Sequence, residues 1–389
     1  MSDLQTLFLV VLLLYLTQCI HWIPEGCVAF REAVKRPWKM LPVQTGFTLL
    51  GRQPVFTNPL PPFAGVAVCQ PLPFRVSPAG IAEPEIPSVY RAGLRGEPAK
   101  GARFREIRDI QASGETLRID GAVFVKVSCA AQAQHLAAFL CSLHRSREKD
   151  RGSAIETELA GMLDVERISA RLRAYRELSR GLAVSCHALF IFFFALAPLA
   201  IWRFGLAWSW RLLTAILVIF LVLIAFQFRR ARKKIHADTA EFPWPVMVSL
   251  LLSPFAAIRA RDALVQDLFC AFHPLAVTRV LCDEAAFRSA ASTALREAFF
   301  FIASPQSGTQ DSLSGVEEWH RSRELTALKK FIARAGEDPE KLLGPPPRES
   351  ELCQSYCPRC WAQFALQSGN CEPCGGMPLR PFPGQTELS

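Results

Sequence analysis

The chain has 389 residues, half of them hydrophobic, with 13 cysteines and a formal net charge of +9 from 44 basic and 35 acidic side chains. That length suits two or three modest domains rather than one core, and that hydrophobicity is high for a soluble protein and points to membrane segments. An odd cysteine count, with several residues isolated in apolar stretches, argues against a secreted disulfide framework and for a reducing compartment.

The first apolar run, residues 4–23 (LQTLFLVVLLLYLTQCIHWI), has the length of one transmembrane helix. Only Asp3 is charged before it and no small-x-small cleavage site follows, so it reads as a retained anchor rather than a signal peptide. Residues 24–152 read as a small cytoplasmic α+β domain. Its Pro-rich stretches, Asn58–Phe63 and Gln70–Phe74, suit strand edges and turns better than a polyproline ligand. Short strands are expected at Gly46–Leu50 and Gly65–Cys69. The clearest hairpin is Thr116–Asp120, Gly121, then Ala122–Val127, with Asp120-Gly121 suited to a type I′ turn. The alternation places Val123, Val125 and Val127 on one face. Ser128 then opens a helix with Leu136, Phe139, Leu140 and Leu143 at helical spacing.

Residues 153–181 carry an amphipathic juxtamembrane helix, with Ile155, Leu159, Met162, Val165, Ile168, Leu172, Tyr175 and Leu178 in steps of three and four. Ser153 and Glu156 have capping-box spacing, and Asp164 is an alternative N-cap that would split the segment in two. The apolar stripe either packs on its own domain or forms a dimerising stalk, which would make a homodimer. Residues 182–202 and 212–228 then form a transmembrane hairpin, with Trp202, Trp208 and Trp210 placed as an interfacial belt. Pro198 lies inside the first of these helices, and His187 near its cytoplasmic end. Basic residues follow the first apolar run (Arg31, Lys35, Arg36, Lys39), precede the second (Arg171, Arg173, Arg176, Arg180) and follow the third. The positive-inside rule therefore places the N-terminus outside and the C-terminus in the cytoplasm of a bacterial inner-membrane protein. The run Arg229, Arg230, Arg232, Lys233 and Lys234 is expected to meet anionic lipid.

Residues 243–303 form a helical region. Trp244–Ala257, broken by Pro245 and Pro254, is too short to span and suits an interfacial or buried segment. Ser253-Pro254 caps one helix running through Phe255 to Phe272, and Asp283–Phe299 gives another. A linker over 304–315 precedes a helix over 316–336, capped by Ser314 with Glu317 and ended by Gly336. Gly344–Pro347 is a stiff spacer.

The spacer leads to the one constellation with definite chemistry. Cys357, Cys360, Cys371 and Cys374 form two C-x-x-C pairs ten residues apart, and two such pairs close a tetrahedral S₄ site that suits Zn²⁺. Pro358 and Pro373 sit in the knuckles, with Gly375 and Gly376 behind the second. Over residues 353–380 this segment resembles the zinc-ribbon group, which implies one structural Zn²⁺ on those four cysteines. Cys353 lies outside the paired pattern as a bystander or substitute ligand. Other signals are weaker. Ser146–Lys149 matches S-x-x-K in a charged stretch, and His135 and His144 have no third ligand at metal spacing. No P-loop, G-x-G-x-x-G, H-E-x-x-H or G-x-S-x-G occurs.

The sequence thus predicts an α+β membrane protein: an N-terminal transmembrane anchor, a small cytoplasmic domain, a transmembrane helical hairpin, and a helical C-terminal region ending in a zinc ribbon. The expected role is docking or scaffolding of a protein partner at the lipid bilayer. The alternatives are a membrane enzyme or transport accessory whose active groups meet only in the fold, and a membrane-tethered nucleic-acid binder. Only Arg359 and Arg380 are basic in the ribbon, which counts against the last.

Overall fold

The computed structural model describes residues 3–24, 27–32, 38–41, 49, 52–70, 72–83, 101–235, 244–303, 314–374 and 376–382. Two helical rods organise them. Val165–Phe204 runs as one helix of 40 residues and is followed after Gly205 by Ala207–Ile235; both are long and apolar enough to cross a membrane. The first comprises α4 (Val165–Ile191), a π turn (Phe192–Leu196) and α5 (Ala197–Phe204); the second is α6 (Leu206–Ile235). The π turn lies just before Pro198, whose missing N–H and ring would otherwise clash with a carbonyl one turn back. The rods pack side by side, with Phe192 against Phe220 at 5.8 Å. The large apolar side chains Trp202, Trp208, Leu212, Ile219, Val222 and Phe226 remain exposed along the two rods.

The single helix expected over 4–23 does not form. Helix α1 covers Asp3–Thr17, and Ile20–Pro24 is strand β1, paired antiparallel with β4 (Arg52–Phe56). Two causes favour the break: Ile20-His21-Trp22-Ile23 suits a strand, and the Tyr15 hydroxyl donates to Pro59 C=O at 2.6 Å. At ~1.5 Å per residue the helix reaches about 22 Å, short of a hydrocarbon core of ~30 Å.

Residues of the expected 24–152 domain contribute to three cores, the smallest of which joins Cys27, Ala29, Val66 and Val68 to Ile23 of β1. Strands β2 (Val28–Arg31), β3 (Lys39–Leu41) and β5 (Val66–Cys69) form one antiparallel sheet. Phe30, Ala67 and Cys69 of that sheet join Trp38 and Phe63 in the main helical core with α4 and α6. The second core gathers β6 (Arg75–Val76), β7 (Gly80–Ala82), β9 (Ile110–Ser113), β10 (Thr116–Ile119) and β11 (Ala122–Lys126) under α2 (Ala130–Arg145) and α3 (Glu148–Met162). The expected strand Gly46–Leu50 falls almost wholly outside the described residues; Val66–Cys69 is formed. Asp120 at φ 50° and Gly121 at φ 80° make the predicted hairpin turn. A β-bulge between Leu117 and Arg118 resets the return strand, so Phe124 and Val127 face inward while Val123 is exposed.

Asp164 does split the juxtamembrane segment, accepting the Arg167 N–H at 3.0 Å. Ser153 is no cap. Helix α3 begins five residues earlier with Glu148 and Asp150 at its positive end, and Ser153 Oγ donates to Asp150 C=O. The apolar stripe is buried within its own chain: Ile155, Leu159 and Met162 in the second core, Ile168, Leu172 and Tyr175 in the main one.

Beyond α6 the chain forms α7 (Trp244–Leu252), α8 (Pro254–Ile258), α9 (Ala260–Gln266), α10 (Pro274–Leu281) and α11 (Glu284–Ala303). The one helix expected from Phe255 to Phe272 is broken at Arg259 and again after Gln266, because Arg259 and Asp262 turn inward. The expected linker lies outside the described residues except at Ser314 and Gly315, which open α12 (Ser314–Arg334). Glu317 does not fold back as a cap but receives Arg75 Nε at 3.1 Å. Gly336 at φ 90°, with Glu337 N–H reaching Ile332 C=O, closes the helix end.

Candidate metal centre

The ribbon is a small β module. Strand β12 (Ser355–Tyr356) lies between β13 (Gln363–Phe364) and β16 (Arg380–Pro381), and β14 (Asn370–Cys371) pairs with β15 (Met377–Pro378). Each strand pair carries one C-x-x-C knuckle. In the first, Cys357 N–H donates to Ala362 C=O and Trp361 N–H returns to Cys357 C=O, with Trp361 at φ 63°. In the second, Gly376 at φ 82° donates its N–H to Cys371 C=O. Both knuckles thus close through a left-handed residue, which glycine adopts freely and Trp361 does not.

These turns bring the ligand atoms of Cys357, Cys360, Cys371 and Cys374 within 4.8 Å of one another. Cys360 and Cys371 Sγ stand 3.8 Å apart. A metal–thiolate distance of ~2.3 Å gives a tetrahedral S–S edge of about 3.8 Å, so the four sulfurs fit a metal ion. Cys357 and Cys371 are fully buried, whereas Cys360 is exposed. Burial and the Cys357 sulfur push the Cys371 thiol up to about 11, and burial drives Cys374 up as well. At Cys360 burial also pushes upward, but the Ala362 N–H and the other three sulfurs outweigh it and the thiol is lowered. A dication binding here would take the sulfurs as thiolates and displace their protons. Cys353 stays outside the quartet; its N–H donates to Ser350 C=O.

The ribbon is fixed to the body by a contact absent from the motif. The Arg296 guanidinium of α11 lies 3.7 Å from the Trp361 ring centroid and donates to Arg359 C=O at 3.3 Å. Leu352 and Leu366 remain exposed near one end of the β12–β13 pair.

A second constellation gathers residues that look unremarkable in the sequence. Arg259, paired with Asp262, donates to Asn58 C=O at 2.8 Å and to Thr57 Oγ1. Asp262 Oδ2 lies 3.3 Å from His21 Nε2. Arg261 reaches Glu32 at 2.7 Å, and Tyr175 donates to the same carboxylate at 2.9 Å. Burial pushes the Glu32 carboxyl up against these two partners. The Phe63 ring is stacked on His187 at 5.1 Å and covered by Arg259 at 4.9 Å. Asp262 Oδ1 and His187 Nε2 are buried without a hydrogen-bond partner. Two arginines and an aspartate within four positions of an otherwise apolar stretch were the available signal. His135 and His144 are far from any such role, bonded to Glu158 and to Phe104 C=O respectively. Ser146 Oγ donates to Ser142 C=O at the end of α2.

Compared with known proteins, the chain matches no family model, and no curated protein or solved structure is detectably similar to it.

Proposed function

We propose that the chain is an integral inner-membrane protein whose cytoplasmic ribbon holds one structural Zn²⁺ and docks a protein partner. The rods α4–α5 and α6 cross the bilayer, with Trp202, Trp208 and Trp210 at the outer interface and Arg180 and Arg229 at the inner one. Helix α1 occupies the outer leaflet with its N-terminus outside. Arg230, Lys233 and Lys234 line an open cleft of about 640 Å³ between α4 and α6 and meet anionic headgroups. Arg232 turns inward to Asp267 at 3.3 Å. The all-sulfur ligand set selects Zn²⁺ over harder ions and leaves no position for a substrate.

The observation that carries the docking reading is the division of labour on the ribbon. One face is clamped by Arg296 through Trp361, while Leu352 and Leu366 are left in solvent on a module too small to need them. Apolar side chains held on a metal-stiffened scaffold offer a partner a pre-ordered contact. The test uses the full chain in its own membranes, with a photoreactive residue at Leu366. One zinc per purified chain is expected, together with a defined protein adduct that Cys371→Ser abolishes. A chain without zinc, or an adduct indifferent to Cys371→Ser, overturns the reading.

A second reading, a membrane enzyme or transport accessory, is favoured by the polar cluster around Arg259 and Asp262. Ionisable groups at that depth are costly unless they serve a purpose. Loss of cellular function in Asp262→Asn with an intact zinc ribbon would support it over docking.

A further inference from the structure

Helix α4 serves as a ruler for what lies beside it. The Phe255 ring meets Phe193 at 5.3 Å and Tyr15 at 6.2 Å. Cys186 Sγ lies 3.4 Å from Ala257 C=O. Arg261 sits over Tyr175, Arg171 over Phe272, and His273 N–H donates to Met162 C=O. As the chain advances from Phe255 to Phe272, its level falls from Phe193 in the π turn to Arg171 of α4, and His273 then meets Met162 at the end of α3. The segment therefore runs back along the rod, and its start is its deepest point. Phe193 lies about 20 Å beyond Arg180 at ~1.5 Å per residue. The chain leaves α6 at Ile235, beside the basic residues, and α7 packs on α6 before the chain reaches Phe255.

We propose that Trp244–Ile258 is a re-entrant helical hairpin. It enters the leaflet on the side of Arg180 and Arg229, turns at Ser253-Pro254 and returns along α4. Its occupant partner is the acyl-chain region of the bilayer, entered from that leaflet. This rests on the reading that α4–α5 and α6 cross the bilayer. No charged residue occurs from Trp244 to Ile258. Met247 and Leu250 are buried, while Trp244, Val248, Leu251 and Leu252 are exposed and extend the apolar surface of α6, on which α7 packs. Nine residues of helix cannot span, so a segment that reaches the depth of Phe193 enters and leaves by one side.

The turn is built for a medium without water. Ser253 N–H donates to Ser249 C=O at 2.9 Å, Ser253 Oγ accepts the Ala256 N–H at 3.3 Å, and Ser253 C=O accepts the Ala257 N–H at 3.0 Å. Pro254 brings no N–H to satisfy. A non-helical turn at membrane depth is tolerated when its backbone groups are met in this way. The returning limb then delivers Arg259 and Asp262 to partners inside the protein rather than to lipid.

The test reconstitutes the full chain in phosphatidylcholine–phosphatidylglycerol vesicles with p-benzoylphenylalanine at Leu252, Val222 or Val123, one at a time. All three positions are exposed, so folding is not at stake. Lipid adducts at Leu252 and Val222, with at least tenfold less at Val123, are the expected result. Adducts at Val222 without adducts at Leu252, or a protein adduct in their place, overturn the re-entrant hairpin. Absence of lipid adducts at Val222 overturns the membrane reading beneath it.

Discussion

The guanidinium of Arg296 lies 3.7 Å above the ring of Trp361, the residue that closes the first cysteine knuckle in a left-handed conformation. A cation over a partly desolvated indole contributes on the order of 0.5–2 kcal/mol. Here it holds a strained backbone residue and a whole module at once. Arg296→Ala is expected to free the ribbon from α11 without removing its metal. Faster proteolysis at Gly344–Pro347, with unchanged zinc content, is the readout, and Arg296→Lys should give an intermediate rate.

Acid should loosen the contact between α12 and the second core. Burial pushes His320 down to about 4, so it is neutral in the fold and protonates from ~6.5 downward once unfolded. Its contribution is complete above ~6.5 and lost as pH falls to about 4. Glu324 carries the fall to lower pH: burial pushes it up, but Arg75, His320 and Arg321 outweigh burial and hold it at about 2, so its contribution is complete above ~4.3 and lost as pH falls to about 2; both losses define the window. Unfolding midpoints of the detergent-purified chain should fall across that window, and His320→Asn should flatten the fall.

Asp267 has the opposite sign. Burial pushes it up to about 6 against the pull of Arg232. Its proton favours the fold, so the contribution is complete below ~3.9 and lost as pH rises through about 6. Asp267→Asn should raise the midpoint at pH 7.5 and leave it unchanged at pH 4.

Gly65 passes against α9 with no room for a side chain: a Cβ there would sit 3.0 Å from three Val265 carbons. Gly65→Ala should cost about 1–3 kcal/mol by overpacking. Val265→Ala in the same chain should restore much of it. A double substitution no better than the sum of the singles would place the strain elsewhere.

Asp120 accepts N–H groups from Arg108 at 2.9 Å and Asp109 at 2.8 Å while shaping the hairpin turn. Asp120→Ala should cost about 1–3 kcal/mol, and Asp120→Asn less. Faster hydrogen exchange at the Arg108 and Asp109 amides would locate the loss.

Local chemistry was legible before the fold. Asp120-Gly121 announced its turn, Asp164 its cap, the apolar runs their two rods, and the paired cysteines their cluster. Each depends on residues a few positions apart. What stayed hidden depends on partners distant in the chain. The bulge at Phe124 is decided by which side chains the core accepts, and a strict alternation cannot register one extra residue. Arg259 and Asp262 resemble the solvent face of a helix until Thr57, Asn58 and His21 arrive from the other end of the chain. The first apolar run was misjudged for the same reason: hydropathy measures length, whereas its end is set by pairing of Ile20–Pro24 with Arg52–Phe56.

Tyr15 reaches its hydroxyl partner Pro59 early in synthesis, but the rings that enclose it belong to Phe190, Phe194 and Phe255. Helix α1 is therefore made long before the rings that pack it, and its burial depends on segments far along the chain. The order in which these segments emerge is thus part of how this molecule is assembled.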